Sequence, residues 1–385
     1  MEHHKISGTL VLGLLLWMQA PVAASPLPAS FIGATAESKI QISYDDLDAL
    51  LRAAVLPAGP ANRDFAAADE PGVNSRIRNQ RNVLTHMSAA RFQYEGFRHN
   101  EKMRQLVKRI RAELSAIPDE IALNELTKDE QLAYWLNLYN ITVLDELIQR
   151  YPQRNLQQLM LAEDGLLQQP LLTISGIKLS LDDIQFKVLP AQFGLEPKLL
   201  YGLYQGYIGS PSISSRAYTG ANVQALLQQQ ATEFIQSNRG TYPGIGGSFR
   251  VSGFYQRSAS YFPDFQADLT AHLAAFLPAT EKEQLQQATE LKADITDYSV
   301  TDLYGTLRQA GGGAATSDAA LLDSAASTIE IAGSQRAVSH LSPAQIKQLQ
   351  QLNLRRLKEG GNVTVTDLPE TQQKTNAETD NKTRK

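Results

Sequence analysis

The chain has 385 residues, 43% hydrophobic and 20% charged, with a net charge of −4. That is a globular composition with room for one large domain or two modest ones, and it offers no global cationic field for nucleic acid or an anionic membrane. Cysteine is absent, which excludes disulfides, thiolate catalysis and cysteine-ligated metal.

The first residues, MEHHKISGTLVLGLLLWMQAPVAAS, read as a secretory signal over 1–24. His3, His4 and Lys5 precede an apolar run from Leu10 to Met18, shorter than the ~20 residues of a spanning helix. Val22-Ala23-Ala24 offers small residues for cleavage before Ser25. The expectation is a bacterial protein, periplasmic or secreted, with no membrane span after cleavage.

Residues 25–310 are expected to form an α+β domain, a predominantly helical single domain with a small antiparallel sheet. Tyr44–Leu51 starts a helix with an acidic first turn, favourable at that end of the dipole. The segment 56–75, rich in proline, glycine and alanine, reads as a loop. Residues 76–111 hold ten Lys/Arg and two acids, whereas 112–150 hold eight acids and two bases. The basic run is either an anion-binding surface or one partner of an adjacent acidic helix.

Thr127-Lys128-Asp129-Glu130 has the spacing of a capping box, and the helix it opens runs to Tyr151, before Pro152. Its apolar residues wrap most of the circumference, so it is expected to be central. Asn137 and Asn140, three apart on one face, then carry buried amides. They clamp loop backbone or they face a polar pocket. Leu171–Ile174 and Ile177–Leu179 read as a hairpin turning at Ser175-Gly176. Ser180 caps a helix over 181–189 that Pro190 ends. Leu195–Tyr207, Asn222–Ser237 and Asp264–Leu277 are further predicted helices. Phe249–Val251 and Leu291–Thr296 are short strand candidates, joining the hairpin in one sheet. A flexible linker follows over 311–341, then a C-terminal helix over 342–360 and a disordered tail over 361–385. The C-terminal helix is suited to docking on the domain or on a partner.

Catalytic motifs are missing. The run Gly244–Ser248 lacks the lysine and long helix of a phosphate loop. Asp268 and His272, four apart, lack a third metal ligand nearby in sequence. No catalytic set, metal centre or cofactor is assigned.

The motif Tyr134-Trp135-Leu136-Asn137-Leu138-Tyr139-Asn140 resembles the signature of the domain-of-unknown-function family five-forty-seven. Tyr151-Pro152 and Leu179-Ser180-Leu181-Asp182-Asp183-Ile184 follow in the family's order, and the resemblance spans about residues 40–305. It implies that Leu199–Gly220 lies where the family carries a His/Cys segment. The family's histidine falls there on Leu200 and its cysteines on Gln205 and Ser210. Its Glu-His pair falls on Gln185-Phe186, and the arginine that closes that helix on Pro190. The candidate pocket, or degenerate site, comprises Asn137, Tyr139, Asn140, Asp183, Tyr204, Gln205, Ser210 and Arg216. Two functions follow. One is a non-catalytic envelope protein that binds or assembles, with an envelope protein or a small ligand as partner. The other is an envelope hydrolase or transferase with Ser210 or Tyr204 as nucleophile and His86, His99 or His272 nearby.

Overall fold

The computed structural model describes residues 27–61, 63, 85, 88–153 and 155–303. The signal-like segment, the linker, the C-terminal helix and tail, His86, His340 and most of the 56–84 region lie outside the described residues.

The α+β class holds. In chain order the structure has α1 (Asp45–Ala54), β1 (Val55–Leu56), β2 (Arg91–Phe92), α2 (Glu95–Arg98), α3 (Glu101–Glu120) and α4 (Lys128–Arg150). Next come α5 (Gln157–Leu161), β3 (Leu172–Ile174), β4 (Ile177–Leu179) and α6 (Leu181–Asp183). A π segment (Ile184–Val188), α7 (Leu189–Phe193) and a 3-10 helix (Pro197–Gly202) follow. The remainder is α8 (Val223–Ile235), β5 (Thr241–Pro243), β6 (Ser248–Ser252), α9 (Gly253–Arg257), α10 (Phe265–Ala274), α11 (Ala279–Gln287) and β7 (Glu290–Ile295).

Helix α4 is the axis of the fold. Every residue from Glu130 to Ile148 is buried, as expected of a helix apolar around most of its circumference. Its cap differs from the expected box. Thr127 accepts from the Glu130 N–H, but the Glu130 carboxylate does not return to Thr127. It accepts from Ile42 N (3.1 Å) and Gly220 N (3.0 Å), tying two distant loops to the helix start. The complete capping box forms at Ser180 and Asp183 instead, with both reciprocal bonds present.

Opposite charge on α3 and α4 is paired. Arg111 bridges Asp145 and Glu146, each at 2.7 Å, and donates to the Leu171 carbonyl at 2.6 Å. Within the described residues, Arg98 and Arg104 pair with Glu95 and Glu101 and Arg109 with Asp46 and Glu113, while Arg111 joins the basic run to the acidic helix. A buried pair of this kind is costly to break, because its partners are left charged and desolvated.

Pro190 does not end the predicted 181–189 helix. The Leu189 N–H reaches back five residues to the Ile184 carbonyl. Pro190 thus enters the first turn of α7, where no donor is required. The helix stops at Gly194, whose φ is +82°. The predicted 195–207 helix is also corrected, to the short 3-10 turn, for a reason given below.

Among the described residues, the expected single antiparallel sheet is instead three separate sheets: β1–β2, β3–β4, and β5–β6–β7. The β3–β4 hairpin turns at Ser175 and Gly176, φ +46° and +77°, as the sequence predicts. It packs on α3, away from the other strands. The β6–β7 ladder is parallel. Its strands are joined through α9, α10 and α11, the long crossover that parallel pairing requires.

The core has two lobes. The first surrounds α4. The second gathers Tyr201, Phe234, Phe249, Val251, Phe254, Tyr255, Phe262 and Leu269. His272 lies in this second lobe, its Nε2 2.8 Å from the Tyr201 hydroxyl and its ring stacked on Tyr201. Burial holds its pKa down to about 4, from 6.5. An unfolded chain therefore binds a proton there that the folded one refuses. The contribution of His272 to stability is intact above pH 6.5 and is lost as pH falls toward 4. Denaturant titrations across that window are expected to show a loss of up to about 3 kcal/mol from this group. The His272→Gln variant should flatten the slope by that amount, and an unchanged slope would show that the site is not protonation-sensitive.

Candidate functional site

Segment 199–220 is the seam between the two lobes. Leu199, Leu203 and Tyr204 pack into the α4 lobe, while Leu200 and Tyr201 pack into the other. Its path is set by two amides on α4. Asn137 donates to the Tyr218 carbonyl (2.7 Å) and accepts from the Tyr218 N–H (3.0 Å). Asn140 donates to the Gly202 carbonyl (2.9 Å) and accepts from the Tyr204 N–H (3.0 Å). Each side chain thereby acts as a two-bond backbone partner. Asn140 takes the groups that a continuing helix would use, which is why the predicted 195–207 helix stops at Gly202. The crevice beside the amides, lined by Leu47, Leu51, Ile213 and Tyr218, has no room for a water molecule.

Gly206 is required by its surroundings. Its φ is +84°, and a Cβ there would meet Leu147 Cδ1 at 2.3 Å. The residues that follow pair like a strand with 297–301, through Ile208 N to Ser299 O and Gly209 N to Asp297 O.

Gln205 and Gln185 meet in a buried polar cluster. Both are fully buried, and the Gln205 amide donates to Gln185 Oε1 at 3.4 Å. Tyr207 donates to Gln205 Oε1 at 2.8 Å. Gln185 donates to Ser258 Oγ at 3.1 Å and receives Arg257 Nη1 at 3.1 Å. The Tyr261 hydroxyl donates to the Gln185 carbonyl. Gln185 belongs to the π segment, whose wider turn sits opposite Gln205. Arg257 closes the outer side, hydrogen-bonded to Asp182 and lying 5.2 Å over the Phe186 ring. Tyr139 faces the same cluster. Burial pushes its phenol well above the ordinary value, with Arg257 opposing and Asp182 adding to that effect.

Behind this cluster lies a buried charged network. Arg239, fully buried, pairs with Glu233 at 2.6 Å and donates to Ser88 O and Ser212 Oγ. Burial lowers the Arg91 pKa to about 10, against the pull of Asp297 and Asp302. Together these residues tie segments 88–92, 205–212 and 297–302 to one another.

The other predicted site residues are dispersed. Tyr204 lies at the Tyr94 hydroxyl (2.7 Å) and Thr301 Oγ1, and burial raises its pKa to about 12. Ser210 is buried and donates to the Tyr207 carbonyl at 2.7 Å. Among the described residues no histidine or carboxylate bonds it. Arg216 reaches Asp48 at 2.9 Å near the surface, and Asp183 serves the Ser180 cap and Lys187. His99 is exposed, at the C-terminal end of α2. Arg257, Tyr207, Ser258 and Tyr261 escaped sequence reasoning, because partners brought together by distant elements carry no local signal. Among the described residues no cluster of three or more His, Cys, Asp or Glu is placed to hold a metal ion, and no helix is long and apolar enough to cross a membrane.

Replacing either asparagine by alanine leaves a buried N–H and a buried carbonyl unpaired. Asn137→Ala and Asn140→Ala should each cost about 2–4 kcal/mol in urea unfolding. Asn140→Asp should cost a similar amount, since its carboxylate would face the Gly202 carbonyl. A loss below about 0.5 kcal/mol would show that the clamp is not needed.

No curated protein and no solved structure matches the chain. Residues 123–235, which hold α4, the Ser180 cap and the whole 199–220 seam, match the family described as "Protein of unknown function, DUF547", the family that the sequence motifs resemble.

Proposed function

We propose that this chain is an exported, non-catalytic protein of the bacterial envelope that works by binding or assembly on the family scaffold. The observation that carries the reading is the contact between Gln185 and Gln205. By the resemblance, these positions hold a glutamate and a cysteine in related chains, so the two would lie side by side there. Here they are two primary amides, which supply neither a base nor a nucleophile at neutral pH.

Three features support the same reading. The cluster is closed by Arg257, Asp182 and Phe186 rather than open to substrate. Among the described residues, no base lies beside Ser210 to activate it. Tyr204 is held protonated by burial, since burial disfavours a phenolate. Export rests on the first 25 residues, and the partner is an envelope protein or a small ligand.

Treatment of the full folded chain with a fluorophosphonate, followed by peptide mass mapping, tests this reading. The expected result is no adduct at Ser210 or Tyr204. An adduct at Ser210 that disappears when the protein is unfolded first would establish an activated serine and overturn it.

A further inference from the structure

Helices α10 and α11 enclose an open groove of about 560 Å³ on the face of the second lobe. Its wall is built from small side chains, Ala267, Ala271, Ala274 and Ala288, with Leu285 at the base and Asp264 at one end. Alanines at three- and four-residue spacing on α10 let another backbone come close, as small residues do wherever helices pack tightly. The surrounding segment 264–290 is acidic, with Asp264, Asp268, Glu281, Glu283 and Glu290 against the single base Lys282. Such a groove is not used by any described part of the chain.

We propose that the groove is the docking site of this chain's own segment 342–359. That segment carries Lys347, Arg355, Arg356 and Lys358 against Glu359, the opposite charge to the groove. Ile346, Leu349 and Leu357 fall on one face at helical spacing, with Ser342-Pro343 as the start signal. Ten residues of α10 and the twelve from Ile346 to Leu357 give helices of about 15 and 18 Å, a match in length.

Connectivity allows it. The described fold ends at Leu303, whose N–H donates to the Phe92 carbonyl. Residues 304–341 then provide a Gly/Ala/Ser-rich tether whose coil span is on the order of 35 Å. That is sufficient to return to the body of the domain. Tethering makes the encounter intramolecular, so modest contacts suffice to occupy the groove.

The absence of cysteine makes the test clean. In the full chain, Ala271→Cys is combined with Leu349→Cys, and in a second protein Gln286→Cys with Leu349→Cys. A control pairs Leu349→Cys with Lys108→Cys, on the exposed face of α3. Under mild oxidation, both groove pairs are expected to form a disulfide within one chain at least tenfold faster than the control, independent of protein concentration. Ala267→Arg, at unchanged melting temperature, should bring the Ala271→Cys pair to the control rate. Rates equal to the control in both groove pairs would overturn the proposal. So would a rate unaffected by Ala267→Arg, or disulfides that form only between chains and rise with concentration, which would assign the groove to a second copy.

Discussion

A buried amide must be satisfied on both its donor and its acceptor side, and this requirement on α4 organises the molecule. Asn137 and Asn140 lie on the one helix that the α4 lobe surrounds completely. Neither finds a partner within its own helix. Each meets the need by holding both polar groups of a distant backbone segment. Four hydrogen bonds thus fix where the 3-10 turn ends, where the chain crosses between the lobes and where it re-enters at Tyr218. Hydrogen bonds of this type are individually worth only about 1 kcal/mol net. Their effect is larger as a constraint, since the unpaired alternative is so costly in a dry interior.

With the seam fixed, the positions around it follow. Gly206 takes its left-handed conformation against Leu147 of α4, which leaves no space for a Cβ. Gln205 is then presented to Gln185, and the π segment presents Gln185 in return. π-bulges are frequent at functional sites, and here the π segment is what brings Gln185 to Gln205. The result is a polar cluster of amides and hydroxyls under an Arg257–Asp182 cap. Its amides and hydroxyls do not ionise near neutral pH.

Much of this was legible in the sequence, but only where the signal was local. The Thr127 start of α4, the Ser180 cap and the Ser175-Gly176 turn are set by residues within four positions of each other. The burial of α4 followed from its apolar circumference. The asparagines were recognisable as buried amides, yet whether they held backbone or lined a pocket depended on a segment more than sixty residues away. The same limit explains the misread features. Glu130 has the spacing of a capping box, but two loops offered it stronger claims. Pro190 reads as a stop because the π register that accommodates it is set by tertiary packing. Strand order and the parallel β6–β7 pairing depend on a helical crossover that local patterns do not encode. Arg257 and Tyr207, which complete the Gln185–Gln205 cluster, come from opposite ends of a fifty-residue stretch.

The central claim is that the amide clamp holds the seam as firmly as the core itself. Native-state hydrogen exchange at the Tyr204 and Tyr218 backbone amides addresses it most directly, because those N–H groups are the ones donated to Asn140 and Asn137. The account predicts that both exchange only through global unfolding, with opening free energies equal to those of core amides in α4. Exchange through a low-energy local opening, at rates insensitive to overall stability, would contradict it and show that the seam opens on its own.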